Sequence, residues 1–194
     1  MIGKIFITST GYDPQIGKHV KDPYLGDNPS FGACRPDIRK KVVPGDHIFV
    51  ISGKVKQAPQ FVMGGFEVAA KMPASVAYEQ YPDQHLRKRA DGQLTGNIIV
   101  NARGKQHRLD THNPESILRR VDNYIVGKNP IALVSDTEIA KGREQTILVL
   151  ADILKRPGRT PFEIVGGRAG CELSENQILR LLEWLRSLKD CTKN

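Results

Sequence analysis

Short runs of apolar and β-branched residues, separated by polar and glycine-rich stretches, occupy the first two thirds of the chain. Such runs are typical of strands that face a core on one or both sides. They predict five strands, at residues 3–9, 46–52, 60–72, 97–101 and 130–135. The third of these contains Gly64-Gly65, a pair that indicates a bulge or the close approach of the backbone to a ligand.

Helical patterns dominate the last third of the chain. Residues 174–189 begin with a capping box formed by Ser174 and Gln177, and they carry an apolar face at helical spacing. That face consists of Ile178, Leu181, Leu182, Leu185 and Leu188. It predicts packing against the core, with docking on a partner helix as the alternative. Another helix is predicted at residues 143–155, before a connector at residues 156–170.

The other predicted helices are short. Pro36 in the first turn opens one helix, which Pro44-Gly45 ends. An asparagine N-cap followed by a proline predicts another over residues 113–124, and residues 73–95 look like an insertion with one basic helical turn. The order of strands and helices lacks regular alternation, so it predicts an α+β fold. A small curved barrel or mixed sheet with peripheral helices fits this order best.

The charge of the chain indicates its class of partner. The 194 residues include 29 Lys and Arg against 21 Asp and Glu, which gives a net charge of +8 and a pI near 9.5. A domain pI above ~9 is the usual footprint of polyanion binding. The cations cluster at residues 35–41, 85–89 and 118–120. They favour a nucleic acid or nucleotide as partner, and a surplus of solvated surface lysines is the alternative.

Apolar stretches and cysteines suggest the compartment. No stretch approaches the ~20 apolar residues of a membrane span, and the N-terminus lacks the pattern of a secretory signal. The three cysteines, Cys34, Cys171 and Cys191, show no CxxC spacing. Free thiols, a cytoplasmic location and no membrane association are therefore expected.

The densest candidate site is "GACRPDIRKKVVPGDHIFVISG", residues 32–53. A helix N-terminus presents unpaired N–H groups and a partial positive charge, which suits an anion. Arg35 at the start of this helix and Arg39 one turn later would offer two guanidinium groups to a phosphate. Both arginines are expected at the surface, and Ile38 is expected to face inward. The alternative is a solvated basic helix face.

Further candidates lie beside the predicted strands. Ser52, Gly53 and Lys54 follow one strand and are placed to line a pocket. The candidates for stacking on a nucleobase are Tyr12, Tyr24, Phe31 and Phe66. For Phe66, core packing is the alternative.

A metal site is not predicted. His107, Asp110 and His112 are residue types that bind metals, but they lie in a polar loop without a fourth ligand. No cofactor is expected either, because the chain has no phosphate-binding loop of the GxxxxGK[ST] or GxGxxG type.

Residues 34–53 resemble the second family of nucleotide-modification-associated domains. The family pattern runs Cys-Lys/Arg-Pro-x-Ile-Arg-Arg/Lys, then Gly-Asp and a hydrophobic strand that ends in Gly. The matching residues are Cys34, Arg35, Pro36, Ile38, Arg39, Gly45, Asp46 and Gly53. "ALVSD" at residues 132–136 is similar to a later strand of that family. The chain departs from the pattern at His47, where the family often has Trp, and at "TEIAKG", where an aromatic segment usually stands.

The resemblance implies a PUA-like domain over residues 1–155, related to the ASCH, EVE and YTH domains. Residues 156–194 would then form a helical extension packed on the same domain. The resemblance also implies binding of nucleic acid or of a modified nucleotide, since the family is associated with base modification in bacteria and phages. The implied site residues are Cys34, Arg35, Arg39, Ser52, Gly53, Ser135 and Asp136.

Two alternatives of other classes stay open. Some ASCH-like domains are amidohydrolases, and Lys54 and Glu67 are the nearest equivalents here of an activated base or nucleophile and a proton carrier. The chain would then be an enzyme acting on a modified base or nucleoside. Alternatively, the C-terminal helix docks on a modification or defence enzyme, and the chain is an interaction subunit.

Overall fold

The computed structural model describes residues 1–190, so Cys191 lies outside the described part of the chain. The strands are β1 (Gly3–Ile7), β2 (Ser30–Phe31), β3 (His47–Ile51), β4 (Val62–Met72), β5 (Arg87–Lys88), β6 (Leu94–Thr95), β7 (Tyr124–Ala132) and β8 (Cys171–Leu173). The α-helices are α1 (Pro36–Lys41), α2 (Ala74–Gln80), α3 (Leu118–Val121), α4 (Asp136–Leu154), α5 (Pro161–Val165) and α6 (Glu175–Asp190). Short 3₁₀ helices cover Pro82–Gln84 and Pro114–Ser116.

Six strands form one mixed sheet in the order β2-β7-β4-β3-β1-β8, and β5 and β6 form a separate antiparallel pair. Strands β1 and β3 run parallel, whereas β3 with β4 and β1 with β8 are antiparallel. The predicted α+β class with a mixed sheet is therefore confirmed. The sheet is open and does not close into a barrel.

The chain divides into two compact units, and β4 and β7 each contribute residues to both. Unit 1 consists of Met1–His19, Gly45–Glu67 and Asn129–Asn194. Unit 2 consists of Val20–Pro44 and Val68–Lys128. Within the described residues, no helix is both long enough and apolar enough to cross a membrane.

Unit 1 buries the apolar face of α6. Its five predicted core residues, Ile178, Leu181, Leu182, Leu185 and Leu188, are all buried. The capping box is present, since the Ser174 backbone N–H donates to Gln177 Oε1 at 2.8 Å and the Gln177 N–H donates to Ser174 Oγ at 3.4 Å. The prediction that this face packs in the core is confirmed.

Strand β4 has a bulge next to its glycine pair. Val50 pairs with Gly64 and Ile51 pairs with Val62, so Met63 is the extra residue. Gly64 has φ of +147°, and a Cβ atom there would lie 2.1 Å from the carbonyl oxygen of Ile131. The predicted bulge is present, and the backbone of Ile131 comes close to Gly64, where only glycine fits without strain.

Unit 2 has its own apolar cluster beneath α2. It consists of Ala74, Ala77, Ile98, Val100 and Tyr124, with Tyr78 and Tyr81 packed against it. Ile38 of α1 is 4% exposed, so its predicted inward position is confirmed.

Several local predictions are wrong. Residues 97–101 do not form a strand. Ile98 and Val100 each form one isolated bridge, with His85 and Gln106, so no continuous pairing develops. The basic stretch that was expected to form a helical turn is extended, because Arg87–Lys88 pairs with Leu94–Thr95 in a hairpin. The predicted helix at residues 113–124 is a 3₁₀ turn followed by α3, although Asn113 caps it as expected.

Candidate functional site

The backbone of "GAC" in unit 2 already binds an anion, which is the carboxylate of Asp22. Asp22 is 4% exposed and accepts the N–H groups of Gly32 at 2.8 Å, Ala33 at 3.1 Å and Cys34. The side-chain amide of Asn97 donates to the same carboxylate at 3.0 Å. These amides lie just before α1, where an external phosphate was expected. They are engaged by the protein's own acid, so they offer a phosphate no free donors.

The Asp22 carboxylate belongs to a larger buried polar network. The Tyr124 hydroxyl donates to Asn97 Oδ1 at 2.8 Å, and Asn97 Nδ2 lies 3.0 Å from Ser30 Oγ. Ser30 Oγ in turn lies 3.3 Å from Gln84 Oε1. Burial raises the pKa of the Tyr124 hydroxyl, which keeps it protonated as a donor. A network whose members are all bonded orders the loop between β1 and α1.

Arg39 is fully buried, so the expectation that it lies at the surface is wrong. Its Nε donates to the Cys34 carbonyl at 2.9 Å, Nη1 to the Asn123 carbonyl at 2.6 Å and Nη2 to the Arg120 carbonyl at 3.0 Å. The ring of Phe31 lies 5.9 Å from the guanidinium carbon. Burial lowers the pKa of Arg39, and the charge of Asp22 opposes that effect. Arg39 therefore joins α1 to the Cys34 carbonyl before it and to two carbonyls of residues 120–123, all within unit 2.

Arg35 has a different environment. It is the N-cap of α1 with φ of 47°, outside the helical geometry, so it does not share a helix face with Arg39. Its Nε and Nη2 donate to Asp37 at 2.9 and 2.6 Å. The hydrogen bond from Arg35 is the largest cause that holds the pKa of Asp37 below its usual value. A phosphate-binding role for Arg35 stays a prediction.

Cys34 carries a protonated thiol. Burial raises its pKa to about 12, and the neighbouring charge of Asp22 adds to the effect. A thiol in that state is a poor nucleophile at neutral pH. The burial of Cys34 therefore fits a packing role beside Asp22.

The other motif residues lie in unit 1. Ser52 is fully buried, and its Oγ accepts the Phe61 N–H at 3.1 Å. The Gly53 N–H donates to the Tyr12 carbonyl at 2.7 Å, and a Cβ on Gly53 would lie 1.9 Å from the Ser9 carbonyl oxygen. Glycine is thus required here by the close approach of the segment that contains Tyr12.

Ser135 and Asp136 start α4. Ser135 forms a capping box with Glu138, and Asp136 accepts from the Gln15 side chain at 2.8 Å. The sequence did not predict the ion pair that fixes the loop containing Asp13. Arg143 Nη2 donates to both carboxylate oxygens of the buried Asp13, at 2.8 and 3.0 Å. No local pattern signals it, because the two residues are 130 positions apart.

The stacking candidates differ in exposure. Phe31 and Phe66 are fully buried and serve the core, so no base can reach them. Tyr24 is 38% exposed and Tyr12 is half-buried. Sequence reasoning also missed a stacked pair in unit 2, formed by Tyr78 and His85 with ring centroids 3.8 Å apart and planes 10° apart.

Lys54 and Glu67 are not brought together. Glu67 pairs with His47 at the start of β3, whereas Lys54 lies beyond the far end of that strand at Ile51. The four residue steps from His47 to Ile51 already span about 13 Å. Glu67 accepts from the Asn129 side chain at 3.0 Å, and Lys54 is exposed.

The polar loop considered for a metal holds internal hydrogen bonds. His112 Nδ1 lies 2.6 Å from Asp110 Oδ1, and the Gln106 amide donates to Asp110 Oδ2 at 2.8 Å. Residues 1–190 contain no cluster of three or more His, Cys, Asp or Glu side chains placed to hold a metal ion.

The positive charge is concentrated in unit 2. Unit 2 has 15 Lys and Arg against 9 Asp and Glu, a net charge of +6, whereas unit 1 has 14 against 12, a net charge of +2. The exposed cations of unit 2 include Lys40, Lys41, Arg87, Lys88, Arg89, Arg103, Lys105, Arg108 and Arg119. The candidate interface is therefore this exposed basic surface of unit 2.

Comparison of the chain with protein-family models, curated proteins and solved structures found no match.

Proposed function

We propose that the protein binds nucleic acid through the exposed cations of unit 2. The carrying observation is the uneven charge, because +6 of the net +8 lies in unit 2. Phosphate contacts by Lys and Arg supply most of the affinity for nucleic acid that does not depend on sequence. Exposed cations can make such contacts without any change in the core.

The basic hairpin carries three of these exposed cations in succession. Arg87 and Lys88 form β5, and Arg89 begins the turn to β6. All three side chains are exposed, and Arg89 forms a solvated ion pair with Asp91 at 3.5 Å. Such a pair contributes little to stability, so its cation stays available to a phosphate.

The family resemblance supports the same class of partner. We propose the PUA-like fold and the membership that residues 34–53 suggest, and with them a nucleic acid or nucleotide that carries modified bases. The roles of Asp22 and Arg39 supply a physical reason for the motif, since the Cys-Arg-Pro segment is held by buried polar groups.

The test compares two triple variants by fluorescence anisotropy of labelled oligonucleotides, with and without modified bases, over a range of salt concentrations. Arg87, Lys88 and Arg89 are changed to Gln in one variant. The matched control changes Lys56, Arg156 and Arg159, three exposed cations of unit 1. The unit 2 variant should bind more weakly. Its plot of log K against log salt should also become less steep, by about 0.7 to 0.9 per lost phosphate contact.

Two results would contradict the proposal. Salt-independent binding, or none, by the parent would remove the electrostatic argument. Equal losses in the two triple variants would show that unit 2 holds no special surface.

A further inference from the structure

The Tyr78–His85 pair lies beside the basic hairpin of unit 2. Tyr78 belongs to α2, and His85 follows the 3₁₀ helix that leads to β5. The rings are nearly parallel, with centroids 3.8 Å apart. His85 Nε2 lies 2.7 Å from the Tyr78 carbonyl oxygen, which fixes the imidazole against the phenol. Both side chains are half-buried.

The strand geometry places cations on the same side as His85. His85 has extended backbone angles, φ −60° and ψ 138°, and Leu86 after it is 3% exposed and faces the core. Alternate residues of an extended chain face the same side at intervals of about 7 Å. His85, Arg87 and Arg89 therefore point away from the core in succession.

We infer that this surface binds single-stranded nucleic acid, with a base stacked on the Tyr78–His85 pair and neighbouring phosphates on Arg87 and Arg89. The inference rests on the proposed nucleic-acid binding and names its substrate class. Aromatic rings, histidine included, hold unpaired bases in many complexes, and a basic track beside them holds the backbone. In a duplex the base faces are covered by neighbouring base pairs, so the ring pair would have nothing to stack on.

The first test uses the parent protein and four nucleic-acid probes. Anisotropy is measured with a labelled oligothymidine, an abasic strand of the same length, an oligouridine and a duplex. The base-bearing single strands should bind about tenfold or more tightly than the abasic strand, as expected for one stacked base. The thymidine and uridine arms distinguish DNA from RNA. Equal binding of the thymidine and abasic strands would overturn the inference.

The second test removes the aromatic surface. Tyr78→Leu keeps apolar volume against the cluster beneath α2, and Tyr78→Phe keeps the ring. Tyr78→Leu should lower affinity for oligothymidine to the level of the abasic strand and leave abasic binding unchanged, while Tyr78→Phe should bind like the parent. Melting temperatures check that both variants fold, and if Tyr78→Leu does not, the abasic comparison decides.

The two proposals fail in different ways. If Tyr78→Leu binds oligothymidine like the parent while the Arg87, Lys88 and Arg89 variant does not bind, base stacking is wrong and nucleic-acid binding stands. If the parent binds none of the four probes, both are wrong.

Discussion

Around α6 in unit 1, the buried side chains are aliphatic, and Leu181 and Leu185 are fully removed from solvent. Around α1 in unit 2, the largest fully buried side chain is Arg39, and Asp22 in the same unit is also buried. The aliphatic region is stabilised by removal of its apolar carbon atoms from water, and this effect does not depend on the direction of contacts. The polar region depends on complete hydrogen bonding. A buried polar group without a partner destabilises the fold by more than a typical hydrogen bond stabilises it. The two regions should therefore respond differently to substitution.

The largest effect is expected when the carboxylate of unit 2 is removed. Asp22→Ala leaves the N–H groups of Gly32, Ala33 and Cys34 without their acceptor and removes one of the acceptors of the Asn97 amide. Loss of one partner from a buried charged network costs on the order of 3–5 kcal/mol. Urea unfolding measures the loss, and hydrogen exchange should show it first at residues 32–34.

Asp27→Ala is the control, because Asp27 is an exposed aspartate of the same loop. It should change stability by about 0.5 kcal/mol at most. An Asp22→Ala protein as stable as this control would mean that the polar network does not hold unit 2.

A somewhat smaller loss is expected from the aliphatic region of unit 1. Leu185→Ala should cost about 2–5 kcal/mol, since it removes a fully buried side chain and leaves a cavity. Leu179→Ala on the same helix is the control, because Leu179 is 55% exposed. Urea unfolding compares the two variants. Similar small losses in both would show that α6 is not part of the core of unit 1.

The smallest effect concerns acid. Burial lowers the pKa of His47, Arg186 adds to this, and Glu67 and Asp46 oppose it. Nδ1 of His47 is buried without a hydrogen-bond partner among the described residues. As pH falls, His47 of the unfolded chain becomes protonated near pH 6.5. His47 of the folded chain takes up its proton only at a lower pH, because its pKa is lowered. Stability should therefore fall as pH drops below about 6.5, by at most about 1.4 kcal/mol per pH unit.

His47→Phe should remove this acid sensitivity, and urea midpoints at pH 7.5 and 5.5 measure it. His19→Phe is the control, because His19 is exposed and in the same unit. If the parent and His47→Phe lose equal stability over this range, His47 is not the cause.

Part of the fold follows from local pattern. The α+β class, β1, β3, β4 with its glycine bulge, and the capped α6 were predictable because period, turn residues and caps act within a few residues. The hairpin at Arg87–Lys88 was not, because its extended form depends on pairing with Leu94–Thr95, and a short basic run has no preference strong enough to indicate it.

The candidate site divides in the same way. The sequence by itself determined the net charge, the cluster of cations at residues 85–89 and the residue types of the Cys-Arg-Pro motif. Only the tertiary structure decided that Arg39 is buried against three carbonyls, that Asp22 binds the amides of residues 32–34 and that Tyr78 stacks on His85. The physical reason is that charge is a sum over residues, whereas burial and bonding depend on segments far apart in the chain. Asn123 lies 84 positions from Arg39 in the sequence, and no local sequence pattern indicates that these two residues are in contact.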